Sequence, residues 1–76
     1  MGNDNIGIGS SAAFNLMNSN NNIAIGSKSM YNNNGSSNTA IGYYAQYNSS
    51  NGHQNVSVGD STLITNTTGI QNTALG

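Results

Sequence analysis

A five-residue phrase recurs along the chain: Asn, a small or β-branched residue, a small residue, an aliphatic residue, Gly. It reads Asn5-Ile6-Gly7-Ile8-Gly9, Asn22-Ile23-Ala24-Ile25-Gly26, Asn38-Thr39-Ala40-Ile41-Gly42, Asn55-Val56-Ser57-Val58-Gly59 and Asn72-Thr73-Ala74-Leu75-Gly76, its closing glycines 17, 16, 17 and 17 residues apart. Within the phrase the large aliphatics lie two apart, as in Ile6 and Ile8 or Val56 and Val58, which is the period of a strand. A second phrase follows each Gly at a fixed offset: Ala12-Ala13-Phe14-Asn15, Ser29-Met30-Tyr31-Asn32, Ala45-Gln46-Tyr47-Asn48 and Thr62-Leu63-Ile64-Thr65. The pattern predicts two short strands per unit. The polar remainder, with Gly35, Gly52 and Gly69, predicts turns. Helix is excluded, because so much Gly and Asn carries poor helix propensity and no 3.6-residue stripe survives a unit.

A unit of about 17 residues with two strands and two turns is one coil of a flattened parallel β-solenoid, each coil stacked about 4.8 Å above the last. The chain is thus all-β and one repeat domain over 1–76: a lead-in over 1–4, full units at 5–21, 22–37, 38–54 and 55–71, and a partial unit at 72–76. Stacking places equivalent residues in columns. Ile8, Ile25, Ile41, Val58 and Leu75 are expected to form one buried aliphatic row. Gly9, Gly26, Gly42, Gly59 and Gly76 are expected to form a column of corners where the backbone bends and a Cβ has no room. Asn5, Asn22, Asn38, Asn55 and Asn72 are expected to form an amide ladder, each side chain bonding the ones above and below. Asn15, Asn32 and Asn48 begin a less stringent second column that lapses at Thr65.

Composition narrows what such a solenoid can do. Asn fills about a fifth of the chain, a bias that alone suggests disorder, but apolar residues at fixed spacing oppose that reading. Lys28 is the only basic residue, and Asp4 and Asp60 are the only acids. A nucleic-acid backbone or an anionic membrane surface needs clustered cations, so neither is an expected partner. There is no Cys or Pro and one His, which excludes a disulfide framework and a zinc site. No apolar run is long enough to span a bilayer, and the first residues lack the basic and apolar regions of a signal peptide, so export is expected to be encoded elsewhere. The Met1-Gly2 start departs from a myristoylation motif at Ile6.

Candidate chemistry is sparse, and no catalytic residue, metal or cofactor is assigned. Gly7-Ile8-Gly9-Ser10-Ser11-Ala12 matches the dinucleotide fingerprint loosely, but the other units replace Gly7 with Ala24, Ala40, Ser57 and Ala74, so the repeat accounts for it. His53 and Asp60 read as a solvated turn residue and a surface acid rather than a catalytic pair. A calcium-binding roll would repeat an acid in each coil, whereas the equivalents of Asp60 are Ser10, Ser27 and Tyr43. Regular Thr rows of an ice-binding face are absent, since Thr39 aligns with Ile23 and Val56. Tyr31 and Tyr47 align with Phe14 and Ile64 as packing positions, while Tyr43 and Tyr44 break their columns and are the candidate binding surface. Asn34, Asn48, Asn55 and Asn66 are glycosylation sequons.

The phrases Asn38-Thr39-Ala40-Ile41-Gly42-Tyr43-Tyr44-Ala45 and Asn22-Ile23-Ala24-Ile25-Gly26 resemble the head repeats of trimeric autotransporter adhesins and related phage or viral tail-fibre repeats, and the resemblance covers nearly the whole chain. It implies a left-handed parallel β-roll, three copies packed around one axis, and a structural or adhesive role in an extracellular fibre at a cell or virion surface. By resemblance Asn38, Ala40, Ile41, Gly42 and their equivalents build that roll. The unit departs from the family's usual length of nearer fourteen residues. The expected partners are other copies of the chain, with a host-surface receptor or glycan as the target such a fibre would present to. Asn38-Thr39-Ala40 with Gln46 also fits a curli-type repeat in one unit only. The alternative reading is a filament subunit stacking end to end, solenoidal or functional-amyloid-like. The large apolar side chains are few against the ordering entropy of the chain, and no charged or Pro-bearing cap closes either end, which points to packing against other copies in either case.

Overall fold

The computed structural model describes residues 4–15, 19–48, 51–64 and 69–76. Its strands are β1 (Ile6–Ile8), β2 (Ile23–Ile25), β3 (Thr39–Ile41), β4 (Val56–Val58) and β5 (Thr73–Leu75), in one parallel sheet of order β1-β2-β3-β4-β5. The register follows the repeat: Gly7 pairs with Ala24, Ala24 with Ala40, Ala40 with Ser57 and Ser57 with Ala74. The chain is a β-solenoid of about four turns, each coil beneath its predecessor.

Among the described residues one strand per coil forms, where two were expected. The second phrase is a stacked arch of turns. Ser11 and Ala13, Lys28 and Met30, Tyr44 and Gln46, and Ser61 and Leu63 all have φ between 48° and 60°, while the residue between each pair does not. This alternation of left- and right-handed conformations cannot propagate a pleat. It still stacks in register: Ala13 N–H donates to Ser29 O, Met30 N–H to Ala45 O and Gln46 N–H to Thr62 O, each at 2.9 Å. A left-handed residue also precedes every ladder asparagine, at Asp4, Asn21, Ser37, Gln54 and Gln71. Non-glycine residues adopt that region at a cost, and the inter-coil hydrogen bonds offset it.

The interior is one side chain thick. The strand residue that points inward is the central, small one: Ala24, Ala40 and Ser57 are wholly buried. They meet the arch residues Met30 and Gln46, also wholly buried, and the apolar core is Ala13, Ala24, Met30, Ala40 and Ala45. The gap is narrow enough that a Cβ built on Gly7 would lie 3.2 Å from that of Ala13. The expected buried row is therefore corrected. Ile8, Ile25, Ile41, Val58 and Leu75 do stack in a row, but none is buried, and Leu75 is 74 % exposed. Strand alternation permits one inward position in three, and the closeness of the arch reserves it for Gly, Ala or Ser.

The asparagine column is present with a different bond pattern from the expected amide-to-amide ladder. Each Oδ1 accepts the main-chain N–H of the next ladder residue: Asn5 from Asn22 at 3.0 Å, Asn22 from Asn38 at 2.8 Å, Asn38 from Asn55 at 3.0 Å, Asn55 from Asn72 at 2.9 Å. Each Nδ2 donates across its own coil to a turn carbonyl: Asn5 to Ser19, Asn22 to Gly35, Asn38 to Gly52, Asn55 to Gly69. One amide thus ties its coil shut and fastens it to the next. Among the described residues only Asn22 Nδ2 in this column also reaches a neighbouring amide oxygen, Asn5 Oδ1 at 3.2 Å. The side-chain amide contact expected there recurs in the second column, where Asn15 Nδ2 donates to Asn32 Oδ1 at 2.7 Å. At the corners Gly26 has φ 125°, and a Cβ on it would meet Gly42 O at 2.6 Å, whereas a Cβ on Gly76 would meet nothing within 4 Å.

The 16-residue coil keeps register because its missing residue falls between Asn32 and Gly35, where two residues stand against three in the other coils. There the buried Asn33 accepts the Gly35 N–H on Oδ1 at 2.9 Å, tightening the turn.

Asn38→Ala leaves the Asn55 N–H and the Gly52 carbonyl without partners in a buried setting, so it should destabilise the fold by about 2–4 kcal/mol. Ala40→Leu should cost about 1–3 kcal/mol by overpacking. Denaturant midpoints measure both; loss from neither would refute the thin interior and its amide ties.

Candidate binding surface

Two sets of side chains leave the solenoid outward. The first is the outer face of the sheet, where strand alternation sends residues on both sides of the small central position away from the interior. One row is Ile6, Ile23, Thr39, Val56 and Thr73, the other the Ile8-to-Leu75 row, aligned by the strand register. On the central strands Ile41, Val56 and Val58 are each 37 % exposed, and Ile23 and Ile25 are half-buried. The result is a continuous strip of β-branched and leucine side chains bordered by the corner glycines.

The second set lies on the arch. Phe14 and Tyr31 stack at 5.0 Å with 5° between ring planes, and Tyr31 and Tyr47 at 5.2 Å with 13°. Tyr47 then stacks on Tyr44 at 4.6 Å, and Tyr44 leans on Tyr43 at 4.4 Å with a 53° tilt. Lys28 Nζ donates to the Tyr44 hydroxyl at 3.3 Å and sits 5.5 Å from its ring centroid, a cation–π approach. The candidate pair Tyr43 and Tyr44 is therefore one end of a five-ring strip that also takes in Phe14, Tyr31 and Tyr47. Sequence reasoning set those three aside as packing positions. Their alignment at successive units was the signal that they form a column, yet Phe14 is 61 % exposed and both tyrosines are only half-buried.

The electrostatics of the strip are local. A side-chain hydrogen bond with Tyr44 raises the pKa of the Tyr43 hydroxyl, and the bond to Tyr44 raises that of Lys28. Both groups lie at the surface, where solvent screens such effects.

Among the described residues no three His, Cys, Asp or Glu gather as a metal site. His53 Nδ1 contacts the Asn51 carbonyl at 3.1 Å, and Asp60 accepts from the Ser61 hydroxyl at 2.8 Å. Among the described residues no hydrogen bond joins His53 to Asp60. Of the sequons, Asn34 is exposed and Asn48 half-buried, whereas Asn55 is wholly buried in the ladder and closed to modification in the folded chain. Asn66 lies outside the described residues. No described helix is long and apolar enough to cross a membrane. No family model matches the chain, and no curated protein or solved structure matches it.

Tyr44→Phe removes the hydroxyl on which both raised pKa values depend. Tyrosinate absorbance in an alkaline titration should show one ring ionising late in the parent chain and earlier in the variant. Both folded-state pKa values are raised, so the stability they carry is complete below the ordinary Lys and Tyr values and lost as pH rises through the folded-state ones. The difference in Tm between parent and Y44F should accordingly shrink in alkali.

Proposed function

We propose that this chain is a structural and adhesive segment of an extracellular fibre, associating laterally through the outer face of its sheet into a homotrimer and serving as a rigid spacer. The observation that carries this reading is the aliphatic strip with its companion row, in which Ile8, Ile41, Val58 and Leu75 are exposed and Ile25 half-buried. Parallel sheets are ordinarily covered on both faces, and a contiguous apolar patch rimmed by polar residues is the usual mark of an interface. The interior is too thin to take these side chains, so only a partner can remove them from water. Resemblance to trimeric adhesin heads and tail-fibre repeats supplies the expected partner, further copies of the same chain, and the location at a cell or virion surface. The tyrosine strip on the arch is then the surface left to meet a receptor or glycan. Nothing in the chain's chemistry supports turnover of a substrate.

A second reading, an end-to-end filament, is favoured by the repetition itself. Each coil offers the next the same asparagine acceptor and the same strand hydrogen bonds, so a coil from another copy can extend the columns.

Light scattering with cross-linking separates the two. A discrete trimer that Ile41→Asp converts to folded monomers supports lateral association, because the substitution leaves the interior untouched. A parent chain that is itself a well-folded monomer would rule it out, and long fibres in electron micrographs would transfer the role to the filament.

A further inference from the structure

We propose that Tyr31 and Tyr47 are a modification site, a pair preset for oxidative coupling to dityrosine by a haem peroxidase supplied with hydrogen peroxide, and that the new bond staples one coil to the next. All four tyrosines of the chain lie in the arch strip. Tyr43, Tyr44 and Tyr47 belong to one coil and Tyr31 to the coil before it, so a bond to Tyr31 is the coupling that joins two coils.

The main chain holds this pair in place. On either side of Tyr31, Met30 N–H donates to Ala45 O at 2.9 Å and Asn32 N–H donates to Tyr47 O at 2.8 Å. Asn32 also bridges in parallel to Asn48. The rings accordingly stack at 5.2 Å with 13° between their planes, which sets the carbons ortho to the two hydroxyls one level apart. Both rings are half-buried, so part of each meets solvent and the oxidant. Tyr44 stacks on Tyr47 as well, at 4.6 Å. It holds the Lys28 ammonium 5.5 Å from its ring centroid and 3.3 Å from its hydroxyl, and a positive charge there opposes loss of an electron from that ring. The radicals therefore settle on Tyr31 and Tyr47.

Each phenol gives up one electron and one proton. The two phenoxyl radicals join through a carbon–carbon bond between ortho positions, and the hydrogens on those carbons move to the two oxygens, restoring both phenols. The peroxide takes up the two electrons and two protons as its O–O bond breaks, so two tyrosines and one hydrogen peroxide give one dityrosine and two waters. The chain has no Cys, and the new bond spans the 16 residues from Tyr31 to Tyr47. It restricts the unfolded chain as a disulfide over a loop of that length does.

The test treats the folded full-length chain with peroxidase and peroxide, with peroxide alone as the control, and reads dityrosine fluorescence. Coupling within one chain should give a yield per chain that holds through about tenfold dilution. Proteolysis before Ile41 parts residue 31 from residue 47, so mass spectrometry should find the two peptides joined with the loss of a hydrogen from each. Tyr31→Phe, which keeps a stacked ring, should lose that product and most of the fluorescence. The coupled chain should melt about 10 °C higher than the uncoupled one. Undiminished fluorescence in Tyr31→Phe, a product confined to residues 43–47, or coupling only between chains would overturn the site, and an unchanged Tm would overturn the staple.

Discussion

Each coil must close around a space only one side chain thick, and the rest of the molecule answers to that thinness. It reserves the inward strand position for Gly7, Ala24, Ala40, Ser57 and Ala74 and sends the larger aliphatics outward. It leaves little apolar material to hold successive coils together, so polar contacts carry much of that load. The asparagine column does so with unusual economy of residues: one amide accepts from the coil below and donates across its own. In the same interior Gln46 Nε2 reaches Thr39 O at 2.9 Å and Ser57 Oγ at 3.1 Å. The coil that replaces Met30 with Gln is therefore followed by the one strand that replaces Ala with Ser. A buried polar pair of this kind marks a single correct stacking order where otherwise similar coils could slip by one repeat.

The columns were legible in the sequence because vertical stacking converts repetition directly into contact. Asn22 over Asn38, Gly26 over Gly42 and Ala24 over Ala40 need nothing beyond the period, and the 16-residue step was absorbed where residues 33 and 34 turn. Which way a column faces was not legible by the same logic. Hydrophobicity places Ile25 and Ile41 inside. Only the distance to the opposite wall, invisible in the chain, places them outside. The consistently small residue between each pair of aliphatics was the available clue, since a spacious interior has no reason to restrict that position to Gly, Ala and Ser.

The arch was the other misreading. Ala12-Ala13-Phe14-Asn15 and its equivalents carry apolar and aromatic residues of ordinary strand propensity, yet Ala13, Met30, Gln46 and Leu63 share left-handed φ values between 48° and 54°. Strand propensity is a local preference spanning about 1 kcal/mol. Closing a thin coil demands a reversal within a handful of residues, and the tertiary demand prevails. The same geometry gathers the aromatic strip: the Phe14, Tyr31 and Tyr47 column assigned to packing stacks on Tyr44 and Tyr43 from neighbouring columns, with Lys28 as the single cation beside it.

The turn between Asn32 and Gly35 has a consequence for how such a chain can vary. One coil is a residue shorter there, and neither the strand register nor the asparagine bonds on either side notice. Length at this bend is decoupled from the architecture, so it is the natural seat for insertions: a loop grafted at Asn34 would project from the rim at the pitch of the coils, leaving every stacked contact in place. A ruler-like scaffold with one adjustable margin can display different cargo at fixed intervals without being redesigned.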